Sequence, residues 1–219
     1  LLEALTTTWA DRRPAVISSH NAYNSIIRGP GKNEEGLEDG DLAALDALGG
    51  LVAPVTTPAH ACPAVGAGVS CVEQYGTVEA TCTNSTRTWA QFYQYAVDHL
   101  PHGSVALATD VNGLGGSIGP RFGAEACRTL VTGATERSAP QGAGVTYPFT
   151  LPRIPGSFDR HVEGARTFDY NTDGLAHVGL LPDFIADLMA VGLTEEDLVP
   201  LFRSAEGYIE MWELADSHW

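Results

Sequence analysis

The sequence predicts an α/β fold built on parallel strands. Three short apolar runs, Pro14 to His20, Leu51 to Val55 and Ser104 to Asp110, have the length and β-branched content of buried strands. Between them lie stretches with apolar residues at helical spacing, Asp39 to Leu48 and Thr88 to Leu100. The order strand, helix, strand, helix, strand is that of βα units sharing a parallel sheet.

Each element has its own justification. The chain opens on LLEALTTTWADRRP, which reads as the end of a helix, so the sequence is expected to start in mid-fold, after processing or trimming. The run Pro14-Ala15-Val16-Ile17-Ser18-Ser19-His20 then forms the first strand and ends in a polar loop from Asn21 to Glu38. Gly49-Gly50 stops the helix that follows, as glycines past a helix C-terminus do. Residues 56–86 form a cysteine-bearing loop with little periodicity, of a length that is usually functional or stapled. Pro101-His102-Gly103 breaks the second helix before the third strand. Beyond it the chain is rich in Gly and Pro, with two β-like pieces, Val145 to Leu151 and Arg166 to Tyr170, that are expected to pair as a hairpin. Leu181-Pro182-Asp183 opens a helix through Ala190. Thr194-Glu195-Glu196-Asp197 resembles a capping box ahead of a last helix that runs in pieces to Trp212. One domain is expected: strand and helix units over 1–112, an insertion over 113–176 and closing helices over 177–219.

Composition narrows the function classes. The 219 residues are 44% hydrophobic and 18% charged, a globular composition with enough chain for one sizeable core. The net charge is -15, and the 12 Lys and Arg residues are scattered, which argues against nucleic acid as a partner. No apolar run approaches the ~20 residues of a membrane-spanning helix. The four cysteines, Cys62, Cys71, Cys82 and Cys127, are not in CxxC spacing. Two disulfides would fit a secreted, periplasmic or extracellular location; free buried thiols in a cytosolic enzyme are the alternative. A sequon, Asn84-Ser85-Thr86, lies in the same stretch.

Two residues stand where chemistry is expected. His20 and Asp110 each end an apolar strand, and in a barrel of parallel strands residues at that end face the active-site mouth. A neutral imidazole there is a zinc ligand by type. A carboxylate there can bind metal or take a proton from water. The plainer alternatives are a histidine bonded to backbone and an Asp capping a turn. Arg121, in Gly119-Pro120-Arg121-Phe122-Gly123, is a candidate for binding a substrate carboxylate or carbonyl. Arg28 and Lys32 are weaker candidates of the same kind, and Tyr23 and Asn24 are candidates for lining the pocket.

These segments carry a resemblance. Pro14 to His20, the glycine pair before Leu51, and Ser104 to Gly113 resemble the last three strands of the membrane (renal) dipeptidase family, within the amidohydrolase superfamily of metal-dependent barrels. Ser19-His20 matches the motif ending that family's sixth strand, whose His is a zinc ligand. Thr109-Asp110-Val111-Asn112-Gly113 is similar to the motif ending its eighth strand, with the catalytic Asp kept as Asp110 and a second Asp replaced by Asn112. The segment from Phe168 to His177 and on to Phe184 is similar to bacterial amidohydrolase-like proteins; His177 from this segment and Asn112 from the strand-end motif join the substrate-binding candidates.

The resemblance implies the C-terminal half of a (β/α)8 TIM-type barrel with a long hairpin-containing insertion. It implies a hydrolase that cleaves an amide or peptide-like bond of a small-molecule substrate with a metal-activated water. His20 and Asp110 would be metal ligands, Asp110 also the proton acceptor, and the cofactor one or two divalent ions, zinc first. The family's other ligands would precede residue 1, so a second chain carrying the N-terminal half of the barrel is the expected partner, in a heterodimer. The insertion departs from the dipeptidase pattern, so dipeptides are not implied as substrates. The alternatives are a barrel relative doing isomerase, lyase or cyclase chemistry, and a non-catalytic binding or structural module.

Overall fold

The computed structural model describes residues 5–7, 14–28, 36–56, 71–110, 117–128 and 142–217. The fold is mixed α/β around a three-stranded parallel sheet. Its strands are β1 (Ile17–Asn21), β2 (Leu51–Pro54) and β3 (Ser104–Val105), in the order β1-β2-β3. Ile17 lies opposite Leu51, and Leu51 opposite Ser104. The central strand β2 is buried along its whole length, which is why it reads as an unbroken apolar run. β1, on the edge, is mostly exposed.

The crossovers are the two predicted helices. α1 (Asp39–Ala47) starts with a capping box between Glu38 and Asp41, and Gly49 past its end takes the left-handed φ of 65°. α2 (Thr86–His99) is N-capped by Ser85, whose hydroxyl accepts from the Arg87 N–H. Its first eight residues, Thr86 to Tyr93, are all buried, as are Tyr95 and Ala96, so it forms the core of the molecule. Trp89 stacks on Tyr93 at 5.2 Å and meets Phe184 edge-on at 5.0 Å.

The third strand is shorter than the sequence predicts. Thr56 N–H donates to the Ala108 carbonyl and Ala106 N–H to the Val52 carbonyl, so alternate residues of β2 face β3. Pro54 falls in that alternation and has no N–H to give. The ladder therefore lapses after Val105 and returns only as a bridge between Val55 and Ala108.

The predicted hairpin is corrected. Val145 to Leu151 and Arg166 to Tyr170 do not pair with each other. Instead β4 (Phe149–Leu151) pairs with β5 (Ile154–Phe158), and β6 (Val162–Glu163) with β7 (Arg166–Thr167), each antiparallel. Two-residue turns close both, with Arg153 and Gly164 at φ 63° and 59°. Tight turns of this kind want a positive φ, and a short loop costs little entropy to close.

Asp169 caps the short helix α3 (Tyr170–Asp173). α4 (Leu181–Ala190) carries Pro182 in its first turn, where a missing N–H costs nothing. Thr194 and Asp197 cap each other as predicted. The chain then turns through α5 (Val199–Phe202) into α6 (Ser204–Asp216). α6 packs against the N-terminal ends of the strands. A Cβ on Gly207 would fall 2.1 Å from Ser104 Oγ, and one on Gly49 would fall 3.0 Å from Leu214 Cδ2. Only glycine lets helix and sheet approach so closely there.

A disulfide joins Cys82, just before α2, to Cys127 beyond β3, a sequence separation of 45. No described cysteine is free. Asn84, Ser85 and Thr86 are 5%, 1% and 0% exposed, so the sequon is inside the fold and not a surface acceptor. No described helix is long and apolar enough to cross a membrane.

Candidate functional site

His20 lies on β1, and Asp110 follows β3 beyond the same end of the parallel sheet. The register of β1 slips between Ser19 and Asn21, which leaves His20 in a bulge. Bulges re-aim side chains, and His20 is turned to solvent. Asp110 stands two residues past Ala108, the last residue of its strand to bridge β2, and is exposed too. His20 stands level with Ala53 and Pro54 and Asp110 beyond the level of Val55, so the two are offset along the strands as well as across two strand spacings of about 5 Å each.

Their backbones share an uncommon feature. His20 has φ 61° and Asp110 φ 47°, the left-handed region that L residues avoid. Each non-glycine residue held there costs about 1–3 kcal/mol, and such outliers gather at functional sites. Ser19 Oγ lies 2.9 Å from His20 Nδ1, which orients the ring and leaves Nε2 without a partner among the described residues. Asp110 has no hydrogen bond or ion pair with any described residue. Between the two, Thr56 Oγ1 donates to the Thr109 carbonyl at 2.7 Å, and Ser117 Oγ lies 3.2 Å from Thr56 Oγ1. Thr109, just before Asp110, and Ser117 are thereby tied to the end of β2.

The other predicted residues are not gathered here. Arg121 is 2% exposed and inside the fold. Its Nε donates to Asp187 Oδ2 at 3.0 Å, its Nη2 to Asp187 Oδ1, and the same Nη2 to the Ala143 carbonyl at 2.6 Å. The expectation that Arg121 binds a substrate carboxylate is corrected: the carboxylate that it binds is Asp187, on α4. Tyr23 is fully buried against the rings of Phe92 and Tyr95. Burial pushes its hydroxyl far above the usual tyrosine range, so it is a neutral core residue and not a pocket wall. Asn24 is spent on structure, donating from Nδ2 to Gly36 O and Glu38 Oε1. Arg28 is exposed beyond the strand end, with its backbone N–H donating to Cys71 O. His177 caps a 3-10 turn (Val178–Leu180), its Nδ1 accepting from Gly179 N–H, and its ring lies 4.5 Å from that of Phe168. It is far along the chain from the strand ends and serves that turn. Asn112 and Lys32 lie outside the described residues.

A buried polar network escapes the linear reading. Tyr147 hydroxyl donates to Asp183 and accepts from Tyr170 N–H at 3.1 Å; Thr86 and Tyr170 hydroxyls meet at 2.9 Å. Burial, the largest cause, holds the Asp183 carboxyl above the usual carboxylate range. The signal in the sequence is the pair Asp183 and Asp187, one turn apart on an otherwise apolar helix. Carboxylates on a buried face need partners.

Among the described residues no group of three or more His, Cys, Asp or Glu is arranged to hold a metal ion. His20 and Asp110 supply an imidazole nitrogen and a carboxylate oxygen, two donors of the kinds that zinc and similar divalent ions take, and a complete site needs more. No family model, curated protein or solved structure matches this chain.

Proposed function

We propose that this chain forms one side of the mouth of a metal-dependent hydrolase of barrel type, acting on an amide or peptide-like bond. One observation supports the reading above others: His20, on β1, and Asp110, in the segment that follows β3, are both exposed, both held at positive φ, and both beyond the C-terminal end of the parallel sheet. Alternate strands of a parallel sheet deliver catalytic groups at that end in barrel enzymes. His20, with Nδ1 held by Ser19, offers Nε2 to a divalent metal, zinc by preference. A metal held there would supply a Lewis acid that lowers the pKa of its water to about 7, and Asp110 would be the carboxylate placed to accept a proton. Thr56 holds Thr109, the residue just before Asp110.

The remaining ligands come, on this reading, from a second chain that continues the barrel. That β1 pairs on one side only among the described residues supports it: Ile17, on that strand, is 45% exposed. A small apolar-to-polar amide substrate would then bind between the two chains.

The test is the zinc content of the protein isolated together with the chain that completes the barrel, followed by assay of that complex against a panel of dipeptides and N-acyl amino acids. His20→Asn suits the left-handed backbone and removes the Nε2 donor; zinc occupancy should fall. Asp110→Asn should retain zinc and lose turnover. Unchanged zinc binding in His20→Asn removes His20 as a ligand, and a full rate in Asp110→Asn removes the proton-transfer role.

A further inference from the structure

At the other end of the sheet, α6 exposes an apolar stripe. Tyr208, Ile209 and Trp212 are 46%, 50% and 57% exposed, and Ala205 is exposed beside them. Positions 205, 208, 209 and 212 are the i, i+3, i+4, i+7 pattern that puts four side chains on one helical face. The face beside it, of Gly207, Met211 and Ala215, is the one buried against the rest of the molecule. The apolar surface of α6 is thus wider than the part that the fold uses. Single exposed apolar residues need no explanation, but a contiguous aromatic stripe on a helix marks an interaction site.

The rim of the stripe says what covers it. Glu206 and Glu213 are exposed along its flank and Asp216 ends it, none with an ion pair to any described residue, and Glu210 on the same side is held by Arg203 at 3.2 Å. The chain as a whole carries -15. A second copy would bring the same acidic flank against this one, and an anionic bilayer would be repelled. We infer that α6 is a docking face for a protein partner that presents an amphipathic helix with an apolar stripe flanked by Lys and Arg, packed along Ala205, Tyr208, Ile209 and Trp212. Apolar contact would supply the affinity, with Trp212 as its centre. The acidic flank would set the choice of partner and speed its approach. The face lies across the strand starts, away from His20 and Asp110, and does not depend on the metal reading.

The probes are three synthetic peptides: an amphipathic helix with a leucine stripe and lysine flanks, the same stripe with glutamate flanks, and a scramble of the first. Binding to the 219-residue protein is followed by calorimetry, with circular dichroism to check that variants keep their fold. The lysine-flanked helix should bind, more weakly as salt rises, and bind better than the scramble. Trp212→Ala and Ile209→Glu should each weaken it by about tenfold or more. Glu206→Lys with Glu213→Lys should turn the preference to the glutamate-flanked peptide. Ile154→Glu, an exposed apolar site on the β4–β5 hairpin, should change nothing. Equal binding of the scramble, or binding indifferent to Trp212 and Ile209, would overturn the proposal. So would a protein that sediments as a dimer which Trp212→Ala dissolves, since the occupant would then be a second copy.

Discussion

Arg121→Leu separates a structural arginine from a substrate-binding one. In the fold the Arg121 and Asp187 side chains are 1% and 2% exposed and form a paired contact through Nε and Nη2. Removing the cation leaves the Asp187 carboxylate buried without its partner, which costs about 3–5 kcal/mol. A domain of this size is stable by about 5–15 kcal/mol in total, so the variant gives up a large share of it. Asp187→Leu strands the guanidinium and should cost a similar amount. The double variant leaves neither charge unpaired, so the two losses should not add; the shortfall should be about 2 kcal/mol or more. Urea unfolding of the four proteins, followed by tryptophan fluorescence, measures this directly. Single variants that lose less than about 1 kcal/mol, or losses that simply sum, would refute the reasoning and return Arg121 to the candidates for binding substrate.

Two further outcomes follow from the same structure. Burial raises the Asp183 carboxyl, so the folded state holds that proton more tightly than the unfolded chain does. The stability linked to it is complete below the unfolded carboxyl value of about 4 and is lost as pH rises through the raised folded value. Asp183→Asn keeps an acceptor for the Tyr147 hydroxyl and should gain stability over wild type at neutral pH but not at acid pH; a melting-temperature difference that is flat with pH would contradict this. Replacing both Cys82 and Cys127 with Ser frees a loop of 45 residues' separation and should cost about 4 kcal/mol by chain entropy, read as a fall in the urea midpoint; an unmoved midpoint would show that the crosslink adds no stability.

The sheet was legible because its strands differ in kind from everything around them. Leu51-Val52-Ala53-Pro54 is an apolar run because β2 is central, and β1 and β3 follow from the helical crossovers on either side of it. Glycine stops and the Thr194–Asp197 cap were legible because capping is local. The hairpins were not. Their partners are chosen by Arg153 and Gly164 in tight turns, and strand content alone says nothing of which strand meets which. Within the candidate site, His20 and Asp110 were legible as polar ends of apolar runs. Arg121 and Tyr23 misled for a common reason: nearness in sequence to a strand end is not nearness in space. Arg121 turns to a carboxylate 66 positions away, and Tyr23 turns inward to the rings of α2.

The close seat of α6 against the strands has a consequence for how this protein is made. Gly207 meets Ser104, and Leu214 meets Gly49, so the segment that seals the starts of β2 and β3 is synthesised after both strands by 100 residues or more. While the ribosome is still translating that interval, the strand starts have no cover. Local pieces such as α2 and the two hairpins can form as they emerge, since their contacts are near in sequence. Until α6 arrives, the ends of β2 and β3 that it covers are surface that a chaperone can bind.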